Sequence, residues 1–119
     1  MRQSRRDFLA TESKIITYLG FCIKSGKIAF GLDNAEKKKK IFLLLYDRSL
    51  SDNSTKQAQK LAAKQKCDVL VYGQSLGGLL HRDGCKLVAV TDQSLANAIR
   101  SAADGQENFC LLQGVGGNS

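Results

Sequence analysis

The sequence predicts an α/β fold, a three-layer α-β-α sandwich around a central mixed four-stranded sheet. Helical and extended patterns alternate along the whole chain. Three short apolar runs, at 41–46, 68–72 and 86–91, are nearly uninterrupted, as in strands covered on both faces. Amphipathic stretches with capping residues at their starts stand between them, and that alternation sets helices on both faces of one sheet. At 119 residues the chain fits a single domain. A chain of this size hides roughly two-thirds of its unfolded surface, enough for a core without staples.

Residues 1–11 are polar and basic and read as a flexible N-terminal arm. Thr11 or Ser13 can cap a first helix in which Ile15, Ile16, Leu19, Cys22 and Ile23 recur at helical spacing, and Gly26 sits where a left-handed stop is wanted. Ile28, Ala29 and Phe30 make a short strand, and Gly31 turns the chain. Asp33 or Asn34 can cap a short second helix running into the lysines. IFLLLY, at 41–46, is the first covered strand. After the polar loop DRSLSDNST, a helix over 55–65 turns Ala58, Leu61 and Ala62 inward. DVLVY is the next strand, SLGGLL makes one or two helical turns, HRDG is a turn, and KLVAVT at 86–91 is the last core strand. Asp92 caps a final helix with Leu95, Ala98, Ile99 and Ala102 on one face. The folded domain is expected over 12–104. Residues 105–119 read as a glycine-rich tail in which Phe109, Leu111 and Leu112 could dock.

Eighteen Lys and Arg against eleven Asp and Glu leave a net charge of +7. Its placement says more than its size. Residues 1–40 carry ten basic groups and four acidic ones, whereas 41–119 carry eight and seven. A basic surface of this kind invites an anionic partner. The four cysteines, Cys22, Cys67, Cys85 and Cys110, lie far apart in apolar surroundings and read as buried reduced thiols rather than a metal or redox pair. The start MRQSRRDFLATESK lacks the apolar core of a secretory leader, and no stretch approaches the ~20 apolar residues of a membrane span. A cytoplasmic protein with no membrane partner is expected.

Catalytic patterns find no support. His81, the sole histidine, lies in a polar turn without a nucleophile near it in sequence. The carboxylates are single and fall at caps and turns, where local structure accounts for them. Gly77-Gly78 lacks the lysine of a phosphate loop and the spaced glycines of a dinucleotide fold. No enzyme, no cofactor and no metal are expected.

Lys37, Lys38, Lys39 and Lys40 form the densest cationic run. Lysines at a helix end complement its dipole and need no partner. The context points further: Lys24 and Lys27 lie just upstream, and Gly31 opens the helix with backbone amides available to phosphate.

The stretches LGFCIKSGKIAFGLDNAEK, LLLYDRSLSDNSTK, SLGGLL and KLVAVTDQSLANAI occur in order across residues 15–102. Together they resemble the kink-turn-binding ribosomal protein superfamily of the L-seven-Ae and L-thirty-e type. That resemblance implies a compact α-β-α sandwich that binds kinked RNA, often within ribosomes, and a ribosomal-protein-like bacterial member. The family's Gly-x-Asn-Glu-x-x-Lys signature enters the widened major groove at sheared G·A pairs. Here Gly31 and Lys37 stand at its ends, Asp33 replaces the asparagine, and Asn34 replaces the glutamate. Lys37 keeps the ability to bond guanine O6 and N7. Asn34 keeps a carbonyl acceptor without its charge, and Asp33 brings a negative charge toward phosphates. This chain is also short between Lys37 and Ile41, which clips the second helix. The family's second RNA-facing loop corresponds to His81, Arg82, Asp83, Gly84 and Cys85.

The expected partner is structured RNA, ribosomal RNA among the candidates, bound by a monomer. Gly31, Asp33, Asn34 and Lys37 would make base and groove contacts. Lys24, Lys27, Lys38, Lys39 and Lys40 would hold phosphates, and Arg82 would touch RNA from the second loop. The rival reading is a protein-interaction module of the same fold that has lost specific RNA recognition.

Overall fold

The computed structural model describes residues 2–104 and 109–112, with side chains over 14–104 and 109–111. It is a mixed α/β structure. In chain order the elements are α1 (Arg2–Ser25), β1 (Ile28–Phe30), α2 (Leu32–Glu36), β2 (Leu43–Asp47), α3 (Asp52–Gln65), β3 (Asp68–Tyr72), α4 (Leu76–Leu80), β4 (Leu87–Val90), α5 (Gln93–Ala103) and β5 (Phe109–Leu112). The strands form one mixed sheet in the order β1-β4-β2-β3-β5. Only β2 and β3 run parallel; β1 and β2 both pair antiparallel with β4, and β3 pairs antiparallel with β5.

The apolar run in β2 explains the architecture. Successive strand residues point to opposite sides of a sheet. Leu43 and Leu45 accordingly join one buried cluster, with Ile15, Leu19 and Cys22 of α1 and Ala96, Ile99 and Ala103 of α5. Leu44 and Tyr46 join a second, with Ala35 of α2 and Ala58, Leu61 and Ala62 of α3. Val69 and Leu70 of β3 divide the same way, as do Leu87 and Val88 of β4.

Several elements depart from the sequence expectations. α1 begins at Arg2 rather than at Thr11 or Ser13, so residues 2–11 of the expected arm are helical in backbone. No Gly or Pro interrupts that stretch, so nothing forces the helix to start at a cap. The arm's side chains lie outside the described residues. Ile16 and Ile23, read as part of the buried stripe, are 40% and 37% exposed. They sit on the flank of a helix whose centre of burial is Ile15, Leu19 and Cys22. Gly26 does stop α1, at φ 72°, with Lys27 N–H donating to Cys22 O at 2.8 Å and Gly26 N–H to Ile23 O at 3.2 Å.

α3 starts three residues earlier than expected. Ser51 is its cap, and the Ser51 hydroxyl accepts the Ser54 N–H at 3.1 Å. Asp92 caps α5 as expected, accepting the Leu95 N–H at 2.8 Å, but Ala96, Ile99 and Ala103 form its buried face while Leu95, Ala98 and Ala102 are half-buried. The sheet has five strands rather than four. Phe109–Leu112 leaves the expected tail to pair with β3, and the Phe109 ring stacks on Tyr72 with centroids 4.7 Å apart. The rest of the expected tail, 105–108 and 113–119, lies outside the described residues.

Two stability measurements check this packing. Leu44 is fully buried, so Leu44→Ala should lower the urea-unfolding free energy by about 2–5 kcal/mol. Lys66 ends α3 in the left-handed region at φ 55°, so Lys66→Gly should raise it by up to about 1 kcal/mol.

Candidate nucleic-acid interface

Five of the ten residues expected to face RNA gather at one edge of the sheet. β1 is the edge strand, and its register sets Ile28 against Val90, Ala29 against Ala89 and Phe30 against Val88. Bracketing bonds run from Thr91 N–H to Lys27 O at 3.0 Å and from Gly31 N–H to Leu87 O at 2.9 Å. In this antiparallel pattern Ala29 spends both backbone groups on β4, while Ile28 and Phe30 turn theirs to the open side. The Asn34 side-chain NH2 donates to Phe30 O at 2.8 Å, tying α2 to that open edge.

Gly31 begins α2 at φ 85° and ψ 158°, a conformation open essentially to glycine alone. A Cβ there would meet nothing within 4 Å, so backbone geometry fixes the residue and not space. α2 then runs only five residues. Asp33 and Asn34 lie inside it rather than capping it, and the helix closes at Lys37. The remaining lysines therefore follow a connecting segment instead of extending the helix. Gln65 pins that segment, accepting the Ile41 N–H at 3.1 Å and donating to Lys38 O at 3.3 Å.

Two shallow cavities meet at Phe30. The first, about 280 Å³, is lined by Ile28, Ala29, Phe30, Asn34, Lys37 and Lys38. The second, about 240 Å³, is lined by Phe30, Gly31, Arg82, Asp83, Gly84, Cys85 and Lys86. The Arg82 guanidinium lies over the half-buried Phe30 ring, 4.0 Å from its centroid. Thus Gly31, Asn34, Lys37, Lys38 and Arg82 come together, although Arg82 lies 51 positions after Gly31. Phe30 and Lys86 join them, and neither was assigned a role from the sequence. Phe30 reads there as one third of an apolar strand, and Lys86 as a strand start.

Other expected contacts lie apart. Asp33 is exposed and lines neither cavity. Lys24 and Lys27 are exposed before β1, at the end opposite Gly31, a strand length of about 10 Å away. Lys39 is exposed outside both cavities. Lys40 turns away, its Nζ 5.6 Å from the centroid of Phe42, whose surroundings include Arg100 and Asp68. The lysine run thus divides: Lys37 and Lys38 line the first cavity, whereas Lys39 and Lys40 do not.

Arg100–Asp68 is the ion pair among the described residues. The lysines and Arg82 at the Phe30 cleft are therefore not neutralised by a paired carboxylate there, though Asp83 lines the second cavity. Such an arrangement offers long, solvated cations for phosphate, a guanidinium already lying on an aromatic plane, and one flat ring. The largest cavity among those described, about 350 Å³, lies between α2 and α3, lined by Glu36, Gln57, Lys60, Leu61 and Lys64, and contains none of the expected site residues. No group of three or more His, Cys, Asp or Glu side chains suits a metal among the described residues, and no helix there is long and apolar enough to cross a membrane.

The cysteines are free thiols. Cys22 and Cys67 are buried, as expected, and burial pushes each up to about 11, with the charges of Asp92 and Asp68 adding to it. Burial also raises Cys85, in the second cavity. Cys85 is only half-buried and Cys110 is exposed on the edge strand β5, contrary to the expectation that all four are buried.

No protein-family model matches the chain, and no curated protein matches it.

Cys110 should therefore be alkylated first at neutral pH, with Cys22 and Cys67 reacting only on unfolding. The unfolded thiols ionise near 9.0 and the folded ones near 11, so stability should fall as pH rises across that interval. A Cys22→Ala, Cys67→Ala variant should show a shallower decline when urea midpoints are compared across the same interval.

Proposed function

We propose that this chain is a non-catalytic RNA-binding protein of the kink-turn-binding superfamily it resembles, with the α-β-α layering of that group. It acts as a cytoplasmic monomer on kinked, structured RNA, ribosomal RNA included. The observation that carries the reading is the junction at Phe30, where the Gly31–Lys38 stretch and the 82–86 loop form adjoining basic cavities. They overlap the stretches that the resemblance assigns to RNA, 31–37 and 81–85, and these meet although far apart in sequence.

The chemistry follows from the side chains. Lys37 and Lys38 reach from the open edge of β1 toward phosphates and guanine acceptors. Arg82 and Lys86 serve the neighbouring strand of a kinked duplex, and Phe30 with Arg82 offers a plane against which a base can stack. Lys24 and Lys27 extend the contact along the β1 edge to more distant phosphates.

A protein-interaction role is favoured by one observation. One hydrogen of the Asn34 NH2 is committed to Phe30 O, so the position that resembles the family's glutamate helps secure the fold and presents an uncharged amide in place of a carboxylate. Under that reading, protein purified at low salt carries no nucleic acid.

A gel-shift series with a kink-turn duplex and an unkinked control tests the proposal. Preference for the kinked duplex is expected, and Lys37→Ala should cost about 1–3 kcal/mol of binding. Equal, weak binding to both duplexes reduces the site to general attraction for polyanions, and unchanged affinity removes Lys37 from it.

A further inference from the structure

We infer that Asp47 is a positioning residue for the cationic cleft: its buried carboxylate, acting with Gly77, holds the 82–86 loop where Arg82 reaches Phe30. The functional consequence rests on the RNA reading; the geometry does not.

Asp47 closes β2 and, at 2% exposure, is the buried charged side chain among the described residues. Its Oδ2 accepts the Leu76 N–H at 2.7 Å, and its Oδ1 accepts the Ser49 N–H at 2.9 Å and the Ser49 hydroxyl at 2.5 Å. Its own N–H donates to Lys86 O at 3.1 Å. One residue thus grips both ends of the 76–86 segment, the first residue of α4 by side chain and the last loop residue by backbone.

Gly77 transmits that grip. A Cβ on it would stand 2.6 Å from the Arg82 carbonyl oxygen and 3.3 Å from that of Cys85, so the loop backbone lies directly on α4. Arg82 N–H donates to Gly77 O at 2.8 Å, and Cys85 N–H to Arg82 O at 3.2 Å. Contacts therefore run from Asp47 through Leu76 and Gly77 to Arg82, and from Arg82 to the Phe30 ring. A neutral amide has one acceptor oxygen; a carboxylate meets donors on both oxygens with charge-assisted bonds, which offsets the cost of burying it.

Asp47→Asn preserves shape but, with Oδ1 kept on Ser49, sets an NH2 donor against the Leu76 N–H. Native-state hydrogen exchange of Arg82 and Cys85 amides should quicken about tenfold or more, while Ala29 and Ala89 amides in the β1–β4 pair keep wild-type rates. Kink-turn affinity should fall about as far as in Arg82→Ala, and the double variant should fall no further. Gly77→Ala, which displaces the loop without touching Asp47, should reproduce both effects. Unchanged exchange at Arg82 and Cys85, exchange quickened equally across the sheet, or losses that multiply in the double variant would each overturn the relay. If the wild-type chain binds no RNA, the RNA reading falls and the exchange pattern alone decides the relay.

Discussion

Burial of β2 and β4 on both faces is the constraint from which the rest follows. Leu43, Leu44, Leu45, Val88, Ala89 and Val90 are fully buried, and each strand also has a hydrogen-bonded neighbour on either side. Nothing there can face a ligand. Apolar side chains fill both faces because an unpaired polar group in such a place would lose its water without recompense. Asp47 is admitted only at the end of β2, where three donors meet its carboxylate. Chemistry that touches a partner is thereby pushed to the sheet's edges and strand ends.

The two edges are treated differently. β1 is three residues long and partly closed off by Asn34, with lysines beside it. Short, charged edge strands resist pairing with other chains, and the same features suit a surface that meets a polyanion instead. At the other edge β5 covers β3, and the stack of Phe109 on Tyr72 adds aromatic contact to the pairing.

The proposed cleft depends on ordering as much as on charge. Lysine is flexible, and a row of lysines by itself recognises little beyond negative charge. What is fixed here is the frame: Gly31 in a conformation that glycine accepts, Gln65 holding the 38–41 segment, and Arg82 resting on Phe30. A frame of that kind lowers the ordering cost of binding, because fewer groups must be immobilised when a partner arrives.

The sequence by itself determined whatever is decided within a few residues. The strand at 41–46 was legible, displaced by a residue or two, because six apolar positions in a row suit only a doubly covered segment. The stop at Gly26, the cap at Asp92, the inward face of Ala58, Leu61 and Ala62, and the concentration of charge in residues 1–40 were legible because caps, periodicity and net charge are local properties. Of the site, Gly31, Asn34, Lys37 and Lys38 were found together because they are neighbours in the chain. Tertiary structure alone decided the rest. It exposed Ile16 and Ile23, drew Phe109–Leu112 out of a glycine-rich stretch into the sheet, turned Lys40 toward Phe42, and set Arg82 on Phe30. The pairing of Phe109–Leu112 with β3 and the meeting of Arg82 with Phe30 depend on segments tens of residues apart, and a one-residue slip in register reverses every side chain. No local pattern carries that information, so the charge could be read from the sequence while the place where it converges could not.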